Sequence, residues 1–278
     1  MDSSLDTSVP DYSVVVPVQN EAGNIEPLIA EIRARMAENK PYEIVYVDDG
    51  SDDETPGTLR RLASECPELR VIRHRAPAGQ SAAIMTGVQA AGAPTIITLD
   101  GDGQNDPADI PKLLGMFMDA DDRDRLLITG QRRKRQDSWI KRVSSRVANG
   151  VRGALLGDGT PDTGCGLKVF SRQAYLDMPG FDHMHRFLPA LMLRQGGRVV
   201  SVPVNHRPRK RGATKYGVWD RLGVGIIDLM GVMWLQRRAV TPPLDGDGKS
   251  GIVDLLGVMW LKRRASKPEI ETERGAGA

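Results

Sequence analysis

Short apolar runs alternate with segments of helical periodicity along the N-terminal half of the chain, and this alternation constrains the fold most strongly. Ser13–Pro17 is typical of a buried strand, whereas Glu21–Ala37 carries apolar residues at three- and four-residue spacing. Strands that alternate with helices favour a parallel sheet with helices on both faces, whose ligands bind beyond the carboxyl ends of the strands. Further strands are predicted at Glu43–Asp48, Arg70–Arg73, Thr95–Leu99, Leu126–Thr129, Gly166–Phe170 and Arg198–Pro203, and further helices up to Glu65 and over Gln80–Ala91.

Acidic residues gather where two of these predicted strands end. Asp48 and Asp49 close one strand, and Asp100, Asp102 and Gln104 follow another in the stretch TLDGDGQNDP. Carboxylate and amide oxygens at such a position can hold one hard divalent ion and leave room for substrate phosphates. The alternative, left open by the residues themselves, is an acidic turn that caps the following helix.

The composition suits one large globular domain, or one domain with an appendage. The chain has 278 residues, 40% of them hydrophobic, and a formal net charge of +2. It is therefore not a polycation, and no nucleic-acid partner is expected. Between Gln131 and Arg152, eight basic residues face one acid, which predicts an anion-binding segment. Cys66 and Cys165 lack metal-type spacing, so we expect neither a disulfide framework nor a zinc site, and a reducing cytosol is the simpler assumption.

Seven motifs follow one another between about Asp11 and Trp219: VVVPVQNEAGNI, EIVYVDDGSDDET, HRAPAGQSAAIMTG, LDGDGQNDP, DTGCGLKVFSR, MHRFLPAL and HRPRKRGATKYG. Each motif is weak alone, but the ordered set is specific. By these motifs the chain resembles the family 2 glycosyltransferases of the GT-A fold, most closely the branch of dolichyl- and undecaprenyl-phosphate sugar transferases. The resemblance implies an α/β, Rossmann-like, mostly parallel sheet flanked by helices.

The resemblance also implies a nucleotide-sugar site with a bound Mg²⁺ or Mn²⁺. Carboxylates can accept hydrogen bonds from base N–H groups and ribose hydroxyls, and oxygen ligands suit these metals. The residues expected to bind the nucleotide-sugar are Pro17, Val18, Asn20, Glu21, Asp48, Asp49, Gln80 and Asp100, and those expected to bind the metal are Asp102 and Gln104. Helix capping or a local turn is the alternative for Asn20, Asp49 and Gln80.

The implied acceptor is polyprenyl phosphate, whose oxygen is already ionised near neutral pH, so a positioned general base need not appear. Two anionic substrates require cations, and arginine can grip phosphate in a bidentate fork. The residues expected at the acceptor phosphate are Arg132, Arg135, Lys168, His185, Arg186, Arg207, Arg209 and Lys215, and the expected catalytic set is Asp100, Asp102, Arg132 and Asp162. A solvated charged face is the alternative for the arginines, and we interpret His74 and His183 as structural.

The C-terminal part contains a duplicated apolar segment. Gly225–Ala239 recurs as Gly251–Ala265 with differences at three positions. Apolar residues at helical spacing, with Trp234 and terminal arginines, predict amphipathic helices in a membrane headgroup region, and packing on the domain or on each other is the alternative. The longest apolar run, interrupted by Asp228, is about fourteen residues, short of the ~20 that span a bilayer.

The sequence thus predicts a flexible N-terminus (1–10), a GT-A domain (11–220), duplicated C-terminal amphipathic helices (221–265) around a linker (240–250), and a disordered tail (266–278). We expect a metal-dependent inverting transferase that moves a sugar from GDP-mannose or a UDP-hexose type donor to polyprenyl phosphate. We expect it to be cytoplasmic and peripheral on the cytosolic membrane face, with a homodimer or a membrane-anchored partner as further options. The alternatives are transfer to a saccharide or glycolipid hydroxyl, and a non-catalytic membrane scaffold.

Overall fold

The computed structural model describes residues 9–38, 41–132, 153, 155–208, 218–238 and 270–271. Its strands are β1 (Tyr12–Val18), β2 (Tyr42–Asp48), β3 (Leu69–His74), β4 (Thr95–Thr98), β5 (Leu126–Arg132), β6 (Lys168–Ser171), β7 (Arg198–Val204) and β8 (Ile270–Glu271). They form one eight-stranded sheet in the order β7-β5-β6-β4-β1-β2-β3-β8. The predicted α/β sheet is confirmed.

The helices cover both faces of the sheet. They are α1 (Ala22–Met36), α2 (Thr55–Glu65), α3 (Gln80–Ala90), α4 (Ile110–Met118), α5 (Arg172–Leu176), α6 (Leu188–Arg194) and α7 (Val218–Arg237). Helix α1 buries Ile25, Ile29 and Ile32 at the spacing expected of one helical face. Along β1, Val14 and Val16 face one core and Val15 faces the other, because successive strand residues point to opposite faces.

The sheet is parallel except at two strands. Strand β6 runs antiparallel between β4 and β5, and its Lys168 is paired with Thr98 at the end of β4. Strand β8, within the tail for which disorder is predicted, runs antiparallel to the edge strand β3. The carboxyl ends of β1, β2, β4 and β5 consequently meet at one edge of the sheet.

Helix α7 contains residues 225–237 of the first copy of the duplicated segment and packs on the domain. Val232 and Leu235 are buried in the core on the α6 side, whereas Ile227 and Met230 are 53% and 66% exposed. The first copy therefore follows the alternative given above, packing on the domain. The second copy, 251–265, lies outside the described residues. Among the helices described, none combines the length and apolar character needed to cross a membrane.

Candidate active site

A cavity of about 770 Å³ opens at the carboxyl ends of β1, β4 and β5. This is where ligands bind in mostly parallel α/β sheets. Its charged lining residues are Glu21, Asp49, Asp100, Asp102, Arg132, Asp162, Lys168 and Arg186. Acidic residues after β4 and basic residues from β5, β6 and the segment before α6 therefore share one cavity.

Asp100 and Asp102 form the acidic wall of this cavity. The backbone N–H of Asp100 donates to Asn105 Oδ1 at 3.0 Å, and that of Gln104 donates to Asp102 Oδ1 at 3.0 Å. These bonds fold the turn after β4 back on itself. Burial, together with the neighbouring Asp102 carboxylate, raises the pKa of Asp100 to about 6. The two carboxylates therefore repel each other, and a cation bound between them would stabilise both.

Two neighbours hold the Asp100 carboxylate in place. Gln80 Nε2 donates to Asp100 Oδ1 at 2.8 Å. Gly166 packs directly on the carboxylate, since a Cβ atom at Gly166 would overlap Cγ and both oxygens of Asp100. Only glycine allows this close approach of backbone to carboxylate. The sequence predicted Gln80 as a site residue but missed Gly166, for which the two glycines around Cys165 in DTGCGLK were the available signal.

The acidic wall suits a divalent metal whose coordination shell is completed by substrate oxygens. Carboxylate oxygens are the ligands that Mg²⁺ and Mn²⁺ prefer, and Mg²⁺ is usually held by one or two carboxylates plus substrate phosphates. In the part of the chain that the structure describes, no group of three or more His, Cys, Asp or Glu could hold a metal by itself. Asp102 and Asp100 are therefore suited to a metal that arrives with a nucleotide.

Two predicted ligands, Gln104 and Arg207, do not line the cavity. Gln104 Nε2 donates to the carbonyl oxygen of Arg207 at 3.4 Å. The guanidinium of Arg207 donates to Glu31 Oε2 and to Asp106 Oδ1, each at 2.6 Å. Arg207 is thus paired with two carboxylates within the fold. The metal-binding role of Gln104 and the phosphate-binding role of Arg207 stay predictions.

Some residues of the loop after β1 line the cavity, and Asn20 makes a structural contact instead. Pro17, Val18 and Glu21 line the cavity, whereas Asn20 does not. Asn20 has a positive φ of 57°, a conformation that asparagine adopts more readily than most residues. Its side-chain nitrogen donates to Asp52 Oδ1 at 2.5 Å, and its Oδ1 accepts from the Asp52 N–H at 3.0 Å. Asn20 therefore joins the loops after β1 and β2.

Asp48 is fully buried behind the cavity and does not line it. Its Oδ1 accepts from the N–H of Ser51 at 3.0 Å, and its Oδ2 lies 3.3 Å from Arg73 Nε. These contacts tie the loop after β2 to the neighbouring strand β3. The contact between Asp48 and the nucleotide stays a prediction.

Asp49 lines the cavity and anchors the segment before α3. It accepts from the N–H groups of Ala78 and Gly79 at 2.8 Å, and its Oδ1 lies 2.7 Å from His74 Nδ1. Burial raises the pKa of Asp49, but these hydrogen bonds outweigh it and lower the pKa below its ordinary value. His74 is itself buried and contacts Thr86 through Nε2 at 2.9 Å. The structural interpretation of His74 is consistent with this network.

The basic wall of the cavity is formed by Arg132, Lys168, His185 and Arg186, and Arg132 makes a bidentate ion pair with Asp162. Arg132 Nε donates to Asp162 Oδ2 and an Arg132 terminal nitrogen donates to Oδ1, both at 2.7 Å. The backbone N–H of Arg132 also donates to Oδ2 at 3.2 Å. Burial lowers the pKa of Arg132, but the pairing with Asp162 raises it overall. Arg132 is therefore a permanent cation, and its orientation is fixed by Asp162.

Lys168 lies on β6 beside the end of β4 and is 4% exposed. Its Nζ donates to the carbonyl oxygen of Cys165. Burial lowers the pKa of Lys168, while the nearby Asp100 and Asp162 carboxylates oppose that effect. The antiparallel insertion of β6 thus brings a cation next to the acidic wall.

His185 and Arg186 complete the basic wall from the 3-10 turn Met184–Arg186. His185 Nδ1 lies 2.7 Å from the hydroxyl of Ser81, at the start of α3. Burial, with Arg186 and Lys168 nearby, lowers the pKa of His185 well below its ordinary value. The imidazole is therefore neutral near pH 7. The sequence did not single out Ser81, although it follows the predicted site residue Gln80.

The remaining predicted acceptor residues, Arg135, Arg209 and Lys215, lie outside the described residues. The described site therefore contains Arg132, Lys168, His185 and Arg186 from the predicted acceptor set.

A mostly parallel α/β sheet, with a carboxylate pair after β4 and basic side chains in the same cavity, is the arrangement of the GT-A class of glycosyltransferases. The profile of glycosyl transferase family 2 matches residues 13–178. The chain belongs to this family and is an enzyme of the glycosyltransferase class.

Two curated relatives share extended sequence similarity. A dodecaprenyl-phosphate galacturonate synthase of Rhizobium johnstonii is 33% identical over 237 residues, covering 84% of this chain and 69% of that protein. An undecaprenyl-phosphate 4-deoxy-4-formamido-L-arabinose transferase of Edwardsiella ictaluri is 36% identical over 209 residues, covering 74% and 63%. This chain thus spans about two thirds of their length.

Solved structures show the same fold at low identity. Glucosyl-3-phosphoglycerate synthase from Mycobacterium tuberculosis, in complex with Mn²⁺, UDP-glucose and phosphoglyceric acid, aligns with a TM-score of 0.61 at 19% identity, covering 82% of this chain and 79% of that one. A mannosyltransferase from Pyrobaculum calidifontis, in complex with GDP-Man and Mn²⁺, aligns with a TM-score of 0.56 at 20% identity, covering 87% and 67%. The GT-A fold prediction is confirmed.

Proposed function

We propose that this family 2 enzyme transfers a sugar, with inversion, from a nucleotide-sugar to polyprenyl phosphate. The observation that supports it most is that one cavity is lined both by the carboxylates of Asp100 and Asp102 and by the cationic side chains of Arg132 and Arg186. A metal-bound diphosphate suits the carboxylates, and an acceptor phosphate suits the cations. The relatives named above act on dodecaprenyl and undecaprenyl phosphate.

The transfer forms one bond and breaks one bond at the anomeric carbon of the sugar. An ionised oxygen of the acceptor phosphate attacks that carbon, and the bond to the nucleotide β-phosphate oxygen breaks with departure of the nucleoside diphosphate. Attack opposite the leaving group inverts the configuration. No proton has to be removed from the acceptor, so the reaction needs no general base.

The state of Asp162 supports an acceptor that is already ionised. A sugar hydroxyl would require a carboxylate positioned to take its proton. Both carboxylate oxygens of Asp162 accept from Arg132. Asp162 therefore serves to orient a cation, which is what a phosphate acceptor requires.

The basic wall would bind and orient the acceptor phosphate. Arg132 supplies a guanidinium whose direction is fixed, and Arg186 supplies a second at the exposed edge of the cavity. Neutral His185 contributes a hydrogen bond without adding charge: when Ser81 donates to Nδ1, the ring hydrogen is on Nε2. Asp102 and Asp100 would hold Mg²⁺ or Mn²⁺, which when bound stabilises the charge on the diphosphate.

We further propose that the enzyme works as a peripheral protein at the cytosolic face of a membrane, where its lipid acceptor is found. The exposed Ile227 and Met230 on α7 offer apolar contact with a bilayer surface. Co-sedimentation with vesicles that contain anionic lipid tests this proposal, and the double variant Ile227→Ser with Met230→Ser should weaken binding.

The assay that tests the proposed function uses purified protein, GDP-mannose or UDP-hexoses, Mn²⁺ or Mg²⁺ and undecaprenyl phosphate, with product detected by mass spectrometry. We expect a polyprenyl-phosphate sugar that disappears in Asp102→Asn but not in Asp121→Asn, an exposed aspartate outside the cavity. Transfer only to soluble saccharides would favour a hydroxyl acceptor. Failure to bind any nucleotide-sugar would favour a scaffold.

A further inference from the structure

His183 connects the basic wall of the cavity to helix α7. Its Nδ1 lies 2.9 Å from Oδ2 of Asp228, and its backbone N–H donates to Asp182 Oδ1 at 2.8 Å. The residue has the left-handed backbone angles φ 66° and ψ 6°. This conformation is unfavourable for a residue with a Cβ atom, so it persists only where surrounding contacts hold it.

His183 immediately precedes the turn that carries His185 and Arg186 into the cavity lining. The turn is fixed on its other side by α3, because the Ser81 hydroxyl lies 2.7 Å from His185 Nδ1 and accepts from the His185 N–H at 3.2 Å. One pair of contacts therefore joins the turn to α3, and the contact between His183 and Asp228 joins it to α7.

Asp228 occupies an unusual place for a carboxylate. It is 1% exposed and shares the buried face of α7 with Val232 and Leu235, at spacings of four and three residues. Burying a carboxylate among apolar residues is costly unless it is paired, and an apolar side chain would dock the helix at least as well. The contact with His183 gives this buried carboxylate a polar partner.

We propose that Asp228 is a positioning residue for the acceptor phosphate. By holding His183 in its left-handed conformation, it fixes the turn that presents His185 and Arg186 to the cavity. The acceptor site is thereby coupled to docking of α7, the helix that carries the exposed Ile227 next to Asp228. This inference rests on the proposed function for the identity of the acceptor, but not for the structural link.

The duplicated segment provides a matched control for the test. Asp254 is the residue of the second copy that corresponds to Asp228. In Asp228→Leu we expect the KM for undecaprenyl phosphate to rise on the order of tenfold, since the contact that holds His183 is lost, while the KM for the nucleotide-sugar is unchanged. Amide hydrogen exchange at Met184, Arg186 and Phe187 should also become faster. Asp254→Leu should change neither quantity.

Two results would overturn the proposal. One is an unchanged acceptor KM and unchanged exchange in Asp228→Leu. The other is an equal effect of Asp254→Leu, or an equal rise in both KM values, which would indicate a general structural role. If Asp228→Leu does not fold, His183→Gly replaces it, because glycine keeps the left-handed backbone but removes the ring. If the wild-type enzyme ignores polyprenyl phosphate, the proposed function fails, and hydrogen exchange still decides whether the link exists.

Discussion

Gly166→Ala should separate catalysis from folding at this site. The added methyl group would overlap the Asp100 carboxylate, which must retreat by about 1 Å to regain ordinary van der Waals separation. That carboxylate is also fixed by Gln80 Nε2 at 2.8 Å, so its movement breaks this hydrogen bond. A misplacement of about 1 Å at a reacting centre can cost about 10²-fold in rate. We therefore expect kcat/KM to fall by about two orders of magnitude.

The matched control for this variant is Gly115→Ala. Gly115 lies inside α4, and a Cβ atom there would meet no other atom within 4 Å. Alanine in a helix interior is favoured over glycine by about 0.5–1 kcal/mol, so this variant should keep full activity and gain about 1–4 °C in Tm. Steady-state transfer rates and thermal unfolding should be measured on both variants. Wild-type turnover in a folded Gly166→Ala would refute the close packing of Gly166 on Asp100.

Three further predictions concern the remaining parts of the site. Arg132→Lys loses the bidentate contact with Asp162, and steady-state kinetics should show kcat/KM reduced by about 10- to 100-fold, whereas an unchanged value would contradict the assigned role of the guanidinium. Asp49→Asn should lower the free energy of unfolding at pH 7 by about 1–3 kcal/mol, measured by urea denaturation. Because the folded-state pKa of Asp49 is below its ordinary 3.8, its contribution is present above about pH 4 and lost as pH falls through the folded pKa, so the variant should show a shallower acid dependence. Removal of divalent metal with EDTA should abolish transfer, and Mn²⁺ or Mg²⁺ should restore it; full activity after chelation would exclude a metal held by Asp102 and Asp100.

Local patterns in the sequence were sufficient for strands β1 to β7 and for helices α1, α2 and α3, but not for α5, α6 or β8. Buried parallel strands give continuous apolar runs, and amphipathic helices give a three- and four-residue period, so each element can be recognised from its own residues. The apolar run Thr95–Leu99 predicts a strand that ends just before Asp100 and Asp102, as β4 does. Their location at the sheet edge where ligands bind then follows from the strand alternation.

Contacts between segments that are distant in the chain could not be predicted from these local patterns. The insertion of β6 antiparallel between β4 and β5 brings Lys168 and Gly166 to the acidic wall, although neither neighbours Asp100 in the chain. Gln104 and Arg207 match the site motifs but lie outside the cavity lining. Gln104 donates to the carbonyl oxygen of Arg207, and the Arg207 guanidinium donates to Glu31 and Asp106.

The sequence by itself determined the class of fold, the family resemblance and the carboxylate pair, since these depend on short-range spacing. Only the tertiary structure decided which charges share the cavity, and that Asp228 of α7 contacts His183 beside the basic wall. The physical reason is that strand pairing and helix docking are fixed by the burial of whole faces. The residues of one short segment therefore do not determine which other segment will pack against it.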